Sequence, residues 1–224
     1  MTLLDFPGKV ACTLFTGGCN MRCPFCHNAP LVTRFDGTTE CWAEEEILLY
    51  LHRRQGLLDG VCITGGEPTL QHGLADFLRQ VKKLGYAVKL DTNGTNPVVL
   101  RALVEERLVD YVAMDVKNSP AKYALTSGVP ESELVGVPES IDYLLSGAVE
   151  YEFRTTVIRE LHTEEDIAAI ADHIAGARRY FLQNFKDSGD LVGNRVLTPH
   201  THESLEAMKR IACGKGIPTE IRGV

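Results

Sequence analysis

Cys19-Asn20-Met21-Arg22-Cys23-Pro24-Phe25-Cys26-His27 is the stretch around which the chain is organised. Its three cysteines are spaced i, i+4, i+7. Four thiolates would close a tetrahedral zinc or iron–sulfur site. Three on a short loop suggest a site built to stay incomplete: a [4Fe–4S] cube held by three cysteines leaves one iron open to another ligand. The run Val10–Thr16 ahead of the loop is apolar and β-prone, and Gly17 and Gly18 break it. The cysteines therefore sit where a strand ends.

Three other readings compete for this loop. Cys23-Pro24-Phe25-Cys26-His27 fits the C-x-x-C-H signal of c-type haem attachment, which needs an exported chain. A thioredoxin-like C-x-x-C leaves Cys19 unexplained. A zinc site of Cys19, Cys23, Cys26 and His27 is the strongest structural alternative, although adjacent Cys26 and His27 would strain to reach one tetrahedral ion.

The chain has 224 residues, 44 % of them apolar, which is enough for the core of one α/β domain spanning 1–224. No stretch has the length of a membrane span. The opening Met-Thr-Leu-Leu-Asp has neither a basic segment nor a long apolar run, so no signal peptide is expected and the cytoplasm is the expected location. A net charge of −7 without a basic run argues against phosphate-driven nucleic-acid binding and favours a protein partner or a small nucleotide cofactor. Seven cysteines without an export signal argue against a disulfide framework. Cys12 and Cys62 lie in strand-like runs and read as buried hydrophobes; neither they nor Cys41 and Cys213 are assigned a ligand role.

Periodicity predicts alternating strands and helices and hence a parallel sheet. Strands are expected at Val10–Thr16, Gly60–Thr64, Tyr86–Leu90, Tyr111–Met114, Tyr151–Val157 and Arg179–Leu182, with a short terminal strand at Thr219–Arg222. Helices are expected at Glu44–Arg54, Gly73–Leu84, Pro97–Glu106, Glu139–Ser146, Thr163–Ala175 and Ser204–Ala212, and Asn184–Pro199 reads as a loop. Six main strands fall short of the eight of a closed barrel.

Chemistry in parallel barrels gathers where strands finish. The second strand runs into Gly65-Gly66-Glu67-Pro68, whose glycines permit unusual backbone angles and close approach of a ligand. The third runs into Asp91-Thr92-Asn93-Gly94, which suits hydrogen bonds to ribose hydroxyls or a carboxylate, or for Asn93 an ordinary Asx turn. The fourth runs into Asp115-Val116-Lys117, with the acid and the base on one face. In the fifth, Arg154 either faces the barrel or pairs with Glu152 in solvent. The sixth runs into Gln183.

The C-x-x-x-C-x-x-C loop after a first strand resembles that of the radical S-adenosylmethionine (SAM) enzymes. The longer stretch from Leu4-Asp5-Phe6-Pro7-Gly8-Lys9 through Phe15-Thr16-Gly17-Gly18 to Asn28 is similar to the activating proteins of anaerobic ribonucleoside-triphosphate reductases, which belong with the glycyl-radical-enzyme activases. The resemblance implies a partial (βα)6 barrel, with a gap in its side that admits a protein loop. It implies a [4Fe–4S] cluster on Cys19, Cys23 and Cys26, with SAM on the open iron. Gly65, Gly66 and Glu67 would then serve the methionine amino group, Asp115 and Lys117 would lie near cofactor and substrate, and Phe25 would pack on the adenine near the Cys26 and His27 backbone. His27 reads equally as a cofactor contact and as a solvent-facing histidine. Formate-lyase activases carry a histidine after the sixth strand; none lies between His173 and His200 here, which leaves Gln183 as a substitute and the adenine contacts open.

No side chain is then required as acid or base, because the cofactor carries the chemistry. The implied partners are a large glycyl-radical enzyme, the anaerobic ribonucleotide reductase, and a flavodoxin-like electron donor. Two enzymatic alternatives are an activase of formate-lyase type and a small-molecule radical SAM enzyme such as the synthases that build deazaguanine precursors. A non-enzymatic metal-binding module is the third; the polar turns after strands two to four argue against it.

Overall fold

A computed structural model of the chain describes residues 2–34, 40–187 and 189–223. In chain order the elements are β1 (Ala11–Thr16), α1 (Ala29–Thr33), α2 (Glu44–His52), β2 (Gly60–Gly65), α3 (Leu74–Lys83), β3 (Ala87–Thr92), α4 (Pro97–Glu105), β4 (Tyr111–Asp115), α5 (Tyr123–Ser127), α6 (Gly136–Leu145), β5 (Glu150–Val157), α7 (Glu164–His173), β6 (Tyr180–Asn184), α8 (His202–Gly214) and β7 (Thr219–Arg222). Single 3-10 turns at Pro68–Leu70, Pro120–Lys122 and Glu131–Glu133 complete the set.

All seven strands pair in parallel in the order β1-β2-β3-β4-β5-β6-β7, and among the described residues no pairing joins β7 back to β1. Consecutive parallel neighbours joined by right-handed crossovers place the helices on one side of a curling sheet. This is the expected partial barrel, lengthened from six strands to seven because β7 pairs with β6 from Tyr180↔Thr219 to Gln183↔Arg222.

Local chemistry accounts for the helices. α3 buries Leu74, Phe77, Leu78 and Val81, one face at helical spacing, against the outer side of the sheet. The Asn96 side chain caps α4 by accepting from the Val99 amide at 3.4 Å. Thr163 and Asp166 form a capping box at α7, the Thr163 amide donating to the Asp166 carboxylate at 2.9 Å. α6 starts at Gly136, three residues before the expected Glu139, because a first-turn Pro138 removes no helical hydrogen bond. α1 and α5 have five residues each, too few for a periodic signal.

The strands extend past their apolar runs. β2 reaches Gly65, β3 reaches Thr92, β4 reaches Asp115 and β6 reaches Asn184. A backbone ladder continues regardless of side-chain polarity, so Asp91, Thr92, Asp115 and Gln183 sit on its last rungs, not in loops after it. At the opposite end, Phe6 closes the barrel floor against Ala11 and Tyr111, its ring 6.1 Å from that of Tyr111. A Cβ at Gly60 would lie 3.0 Å from the Phe6 ring, so the floor is closely packed.

Candidate functional site

The C-terminal ends of the strands and the cysteine loop enclose a cavity of about 260 Å³. Cys19, Cys23 and Cys26 line it, with Phe25 and His27 from the same loop. The turn Gly65, Gly66, Glu67 contributes next, then Asp91, Thr92 and Asn93, then Asp115 and Lys117, and finally Arg154 and Gln183. The residues singled out in the sequence thus come together in one place. Cys12, Cys41, Cys62 and Cys213 stay outside it.

Burial dominates the electrostatics of the cysteine loop. Cys23 is buried and its thiol is pushed up to about 12, by desolvation first; Cys26 and Cys19 add to the rise and Lys117 opposes it. Desolvation raises Cys19 as well, against the pull of the Met21 amide, which donates to its sulfur at 3.4 Å. Such thiols need a cationic centre to remain thiolates. Among the described residues no three His, Cys, Asp or Glu side chains converge on a position for a single ion. Three soft thiols on one loop, all lining the cavity, are the kind of donor set that iron–sulfur clusters take. His27 stacks on Phe185 at 5.6 Å, with 21° between the ring planes, and burial lowers its pKa.

The two glycines after β2 are required by space. Gly66 donates its amide to Thr16 O at 2.8 Å, and the Glu67 amide donates to Gly18 O at 2.8 Å. A Cβ at Gly66 would lie 1.8 Å from the Gly18 carbonyl oxygen. Gly65 has φ +113°, and a Cβ there would sit 2.4 Å from the Thr16 nitrogen. The turn is therefore laced to the segment that enters the cysteine loop. Glu67 is 1 % exposed and its carboxylate accepts four bonds: from the Thr69 amide at 3.1 Å and hydroxyl at 2.7 Å, the Thr92 hydroxyl at 2.7 Å and the Asn93 amide at 2.7 Å. Desolvation raises its pKa while those donors oppose the rise. Its side chain braces the ends of β2 and β3 against each other.

Asn93 does two things at once. Its Oδ1 accepts from the Thr95 amide at 3.0 Å, the Asx turn that the sequence allowed. Its Nδ2 donates to Asn20 Oδ1 at 2.9 Å and is directed at the Cys19 sulfur at 3.9 Å.

An alternating chain of charges crosses β3, β4 and β5. Arg154 Nη1 donates to Asp91 Oδ2 at 3.2 Å and its Nε to Asp115 Oδ1 at 2.9 Å; Lys117 Nζ donates to Asp115 Oδ2 at 3.0 Å. Arg154 thus faces the barrel. Glu152, the alternative partner, is buried and pairs with Arg222 at 2.9 Å. Desolvation opposes the charge on Asp115, but Arg154 and Lys117 outweigh it and hold the carboxyl down to about 2. Desolvation likewise opposes the charge on Lys117, and Asp115 reverses the balance and raises its pKa. The backbone beneath is pinned: the Val116 amide donates to Arg154 O at 2.8 Å, and the His162 ring Nε2 lies 2.8 Å from Lys117 O. His162 Nδ1 accepts from the Ile158 amide at 3.1 Å, so Nε2 carries the proton and donates.

Sequence reasoning missed Met21, Asn28, Val32, Thr64 and Thr156 as lining residues. Thr64 and Thr156 were within reach, since each precedes or follows a recognised site residue at strand spacing. Asn28 donates to Gly65 O at 2.8 Å, a tie between loop and turn that no local pattern announces. Cys62 was expected to be a buried hydrophobe; it is buried, but it faces the polar interior beside Lys89 and Asp91.

Residues 13–174 match the model of the radical SAM superfamily. The chain belongs to the radical SAM superfamily. It is accordingly a radical SAM enzyme, of a family that uses a [4Fe–4S] cluster and SAM. A Methanocaldococcus jannaschii protein named "Putative glycyl-radical enzyme activating enzyme" is 34 % identical over 218 residues, 93 % of this chain and 88 % of that one. A 7-carboxy-7-deazaguanine synthase of Hyperthermus butylicus is 31 % identical over 76 % of this chain and 65 % of its own. The pyruvate formate-lyase 1-activating enzyme of Escherichia coli is 35 % identical over 51 % of this chain and 48 % of its own. In fold, the radical SAM chain is similar to SuiB of Streptococcus suis bound to SAM, with TM-score 0.76 and 14 % identity over 98 % of this chain. It spans about half of SuiB, 51 %. No helix among the described residues is long and apolar enough to cross a membrane.

Proposed function

We propose that this radical SAM protein is a glycyl-radical-enzyme activase, and specifically the activating protein of an anaerobic ribonucleoside-triphosphate reductase. The observation that carries the activase reading is the likeness to a glycyl-radical enzyme activating enzyme over nearly the full length of both chains. The resemblance of Leu4–Asn28 supports the choice of reductase. A flavodoxin-like protein is the proposed electron donor, and the cytoplasm the proposed location.

Cys19, Cys23 and Cys26 would hold the cluster, and the cavity beside them would hold SAM. When bound, the pair supplies a one-electron reductive cleavage that yields methionine and a 5′-deoxyadenosyl radical. The chain's own residues bind, orient and exclude water. Arg154 and Lys117 offer cationic groups for a carboxylate; Asp91 and Thr92 offer partners for hydroxyls; Phe25 offers an apolar face for a base. Gly65, Gly66 and Glu67 fix the distance between the turn after β2 and the cysteine loop. Among the described residues the sheet does not close between β1 and β7, and a protein loop would enter by that side. A glycine on that loop would give up one Cα hydrogen to 5′-deoxyadenosine and keep the unpaired electron.

Two other readings have support in sequence. The Escherichia coli relative favours a formate-lyase type of partner, and the Hyperthermus butylicus relative favours a small-molecule substrate. Anaerobically reconstituted protein given reductant and SAM, with and without each candidate partner, separates them. 5′-Deoxyadenosine together with a glycine-centred signal on the reductase is the expected outcome. The signal on a formate lyase alone moves the partner, and no signal on either moves the substrate class.

A further inference from the structure

Lys89 is a buried lysine outside the lining of the cavity. It lies on β3 two residues before Asp91, on the same inward face, with its side chain 3 % exposed. Its ammonium is hydrogen-bonded to Asp91 Oδ1, and its only other described polar neighbour is the Cys62 sulfur at 3.8 Å. Cys62 is its register partner on β2. Lys89 does not line the cavity; Asp91 does. It therefore stands one layer beneath the site.

Its place in the charge chain gives it a consequence above. The order Lys89, Asp91, Arg154, Asp115, Lys117 alternates cation and anion without a break. Asp91 divides its two oxygens, Oδ1 to Lys89 and Oδ2 to Arg154. With the lower oxygen occupied, the carboxylate cannot rotate to take the guanidinium on both oxygens. Arg154 then keeps its Nε on Asp115. A buried ammonium is costly unless paired, and Asp91 supplies the pairing charge here.

We propose that Lys89 is a positioning residue for SAM binding, acting through Asp91 to hold the Arg154 guanidinium at the cavity floor. The inference rests on the reading of the cavity as the SAM site.

The test is SAM affinity of the reconstituted holoprotein, measured by calorimetry without any partner, with iron content and the reduced-cluster spectrum recorded for each variant. Lys89→Met is expected to keep the cluster and weaken SAM binding about tenfold, the scale of one charge-assisted hydrogen bond. Lys89→Arg restores most of that loss. Adding Lys89→Met to Asp91→Asn produces no further loss, because the effect travels through Asp91. The double variant removes both charges of the Lys89–Asp91 pair, so its SAM affinity can be compared with wild type if either single variant folds poorly. Unchanged affinity in Lys89→Met, or an added loss in the double variant relative to Asp91→Asn, overturns the proposal. Wild-type protein with a full cluster that binds no SAM overturns the cavity reading itself, which is a separate result.

Discussion

Gly66→Ala tests the coupling between the turn after β2 and the cysteine loop. An added Cβ would stand 1.8 Å from the Gly18 oxygen and 2.6 Å from its carbonyl carbon, where real Cβ atoms do not come under 3.0 Å. The obstacle is backbone, not the tip of a flexible side chain, so the turn and the loop must part by about 1.2 Å. Gly18 adjoins Cys19, and the Glu67 amide bonds to Gly18 O, so the separation reaches both the cluster ligand and the brace at Glu67. Overpacking of this size costs about 1–3 kcal/mol, within the stability of a typical domain, about 5–15 kcal/mol. The variant is expected to fold. A misplacement of about 1 Å costs about a hundredfold in rate, which is the expected loss of 5′-deoxyadenosine formation. Gly73→Ala is the control: Gly73 also needs a special backbone angle, φ +80°, but nothing lies within 4 Å of its Cβ position. That variant is expected to lose about 1–2 kcal/mol to strain and to keep its SAM cleavage. Urea midpoints and anaerobic 5′-deoxyadenosine assays on both variants decide. Wild-type cleavage by Gly66→Ala refutes the coupling.

Cys23→Ala should abolish SAM cleavage under the same assay, and near-normal cleavage would sink the cluster assignment. Asn93→Leu removes an N–H directed at the Cys19 sulfur and should lower the cluster's midpoint potential, since hydrogen bonds to sulfur favour the reduced state; a potential that stays or rises in an anaerobic redox titration contradicts this. Asp115 is held to about 2 against the usual 3.8. A depressed carboxyl contributes stability that is full above its unfolded value and lost as pH falls through the folded one. The urea midpoint of cluster-free wild type should therefore fall toward that of Asp115→Asn between about pH 4 and pH 2, and parallel curves would contradict it.

Much of the fold was legible because the strands carry dense apolar runs and the helices one apolar face. Leu74, Phe77, Leu78 and Val81 announce α3, and the same residues are buried. The short helices α1 and α5 were not legible, because five residues make little more than one turn. Strand ends were placed early for a different reason. Asp91, Thr92 and Asp115 look like loop residues, yet their backbones remain in the ladder, Asp115 opposite Arg154. The site was legible where residues cluster in sequence, as in the cysteine loop and Gly65–Glu67. It was illegible where pairing across strands decides the chemistry. Nothing local marks Lys89; only with β2 and β3 in register do Cys62 and Asp91 stand beside it. Glu67 was expected beside the cofactor and lines the cavity; that Thr69, Thr92 and Asn93 also donate to it is visible only once β2 and β3 are paired.

As a glycyl-radical-enzyme activase, this chain is expected to move a hydrogen atom from a partner's glycine to 5′-deoxyadenosine. Reductase grown with glycine deuterated at the α-carbon, incubated anaerobically with reconstituted protein, reductant and SAM, tests it by mass spectrometry of the nucleoside. The account predicts one deuterium in 5′-deoxyadenosine, in step with a glycyl signal on the reductase. Unlabelled 5′-deoxyadenosine, formed at the same rate with and without the reductase, would contradict it.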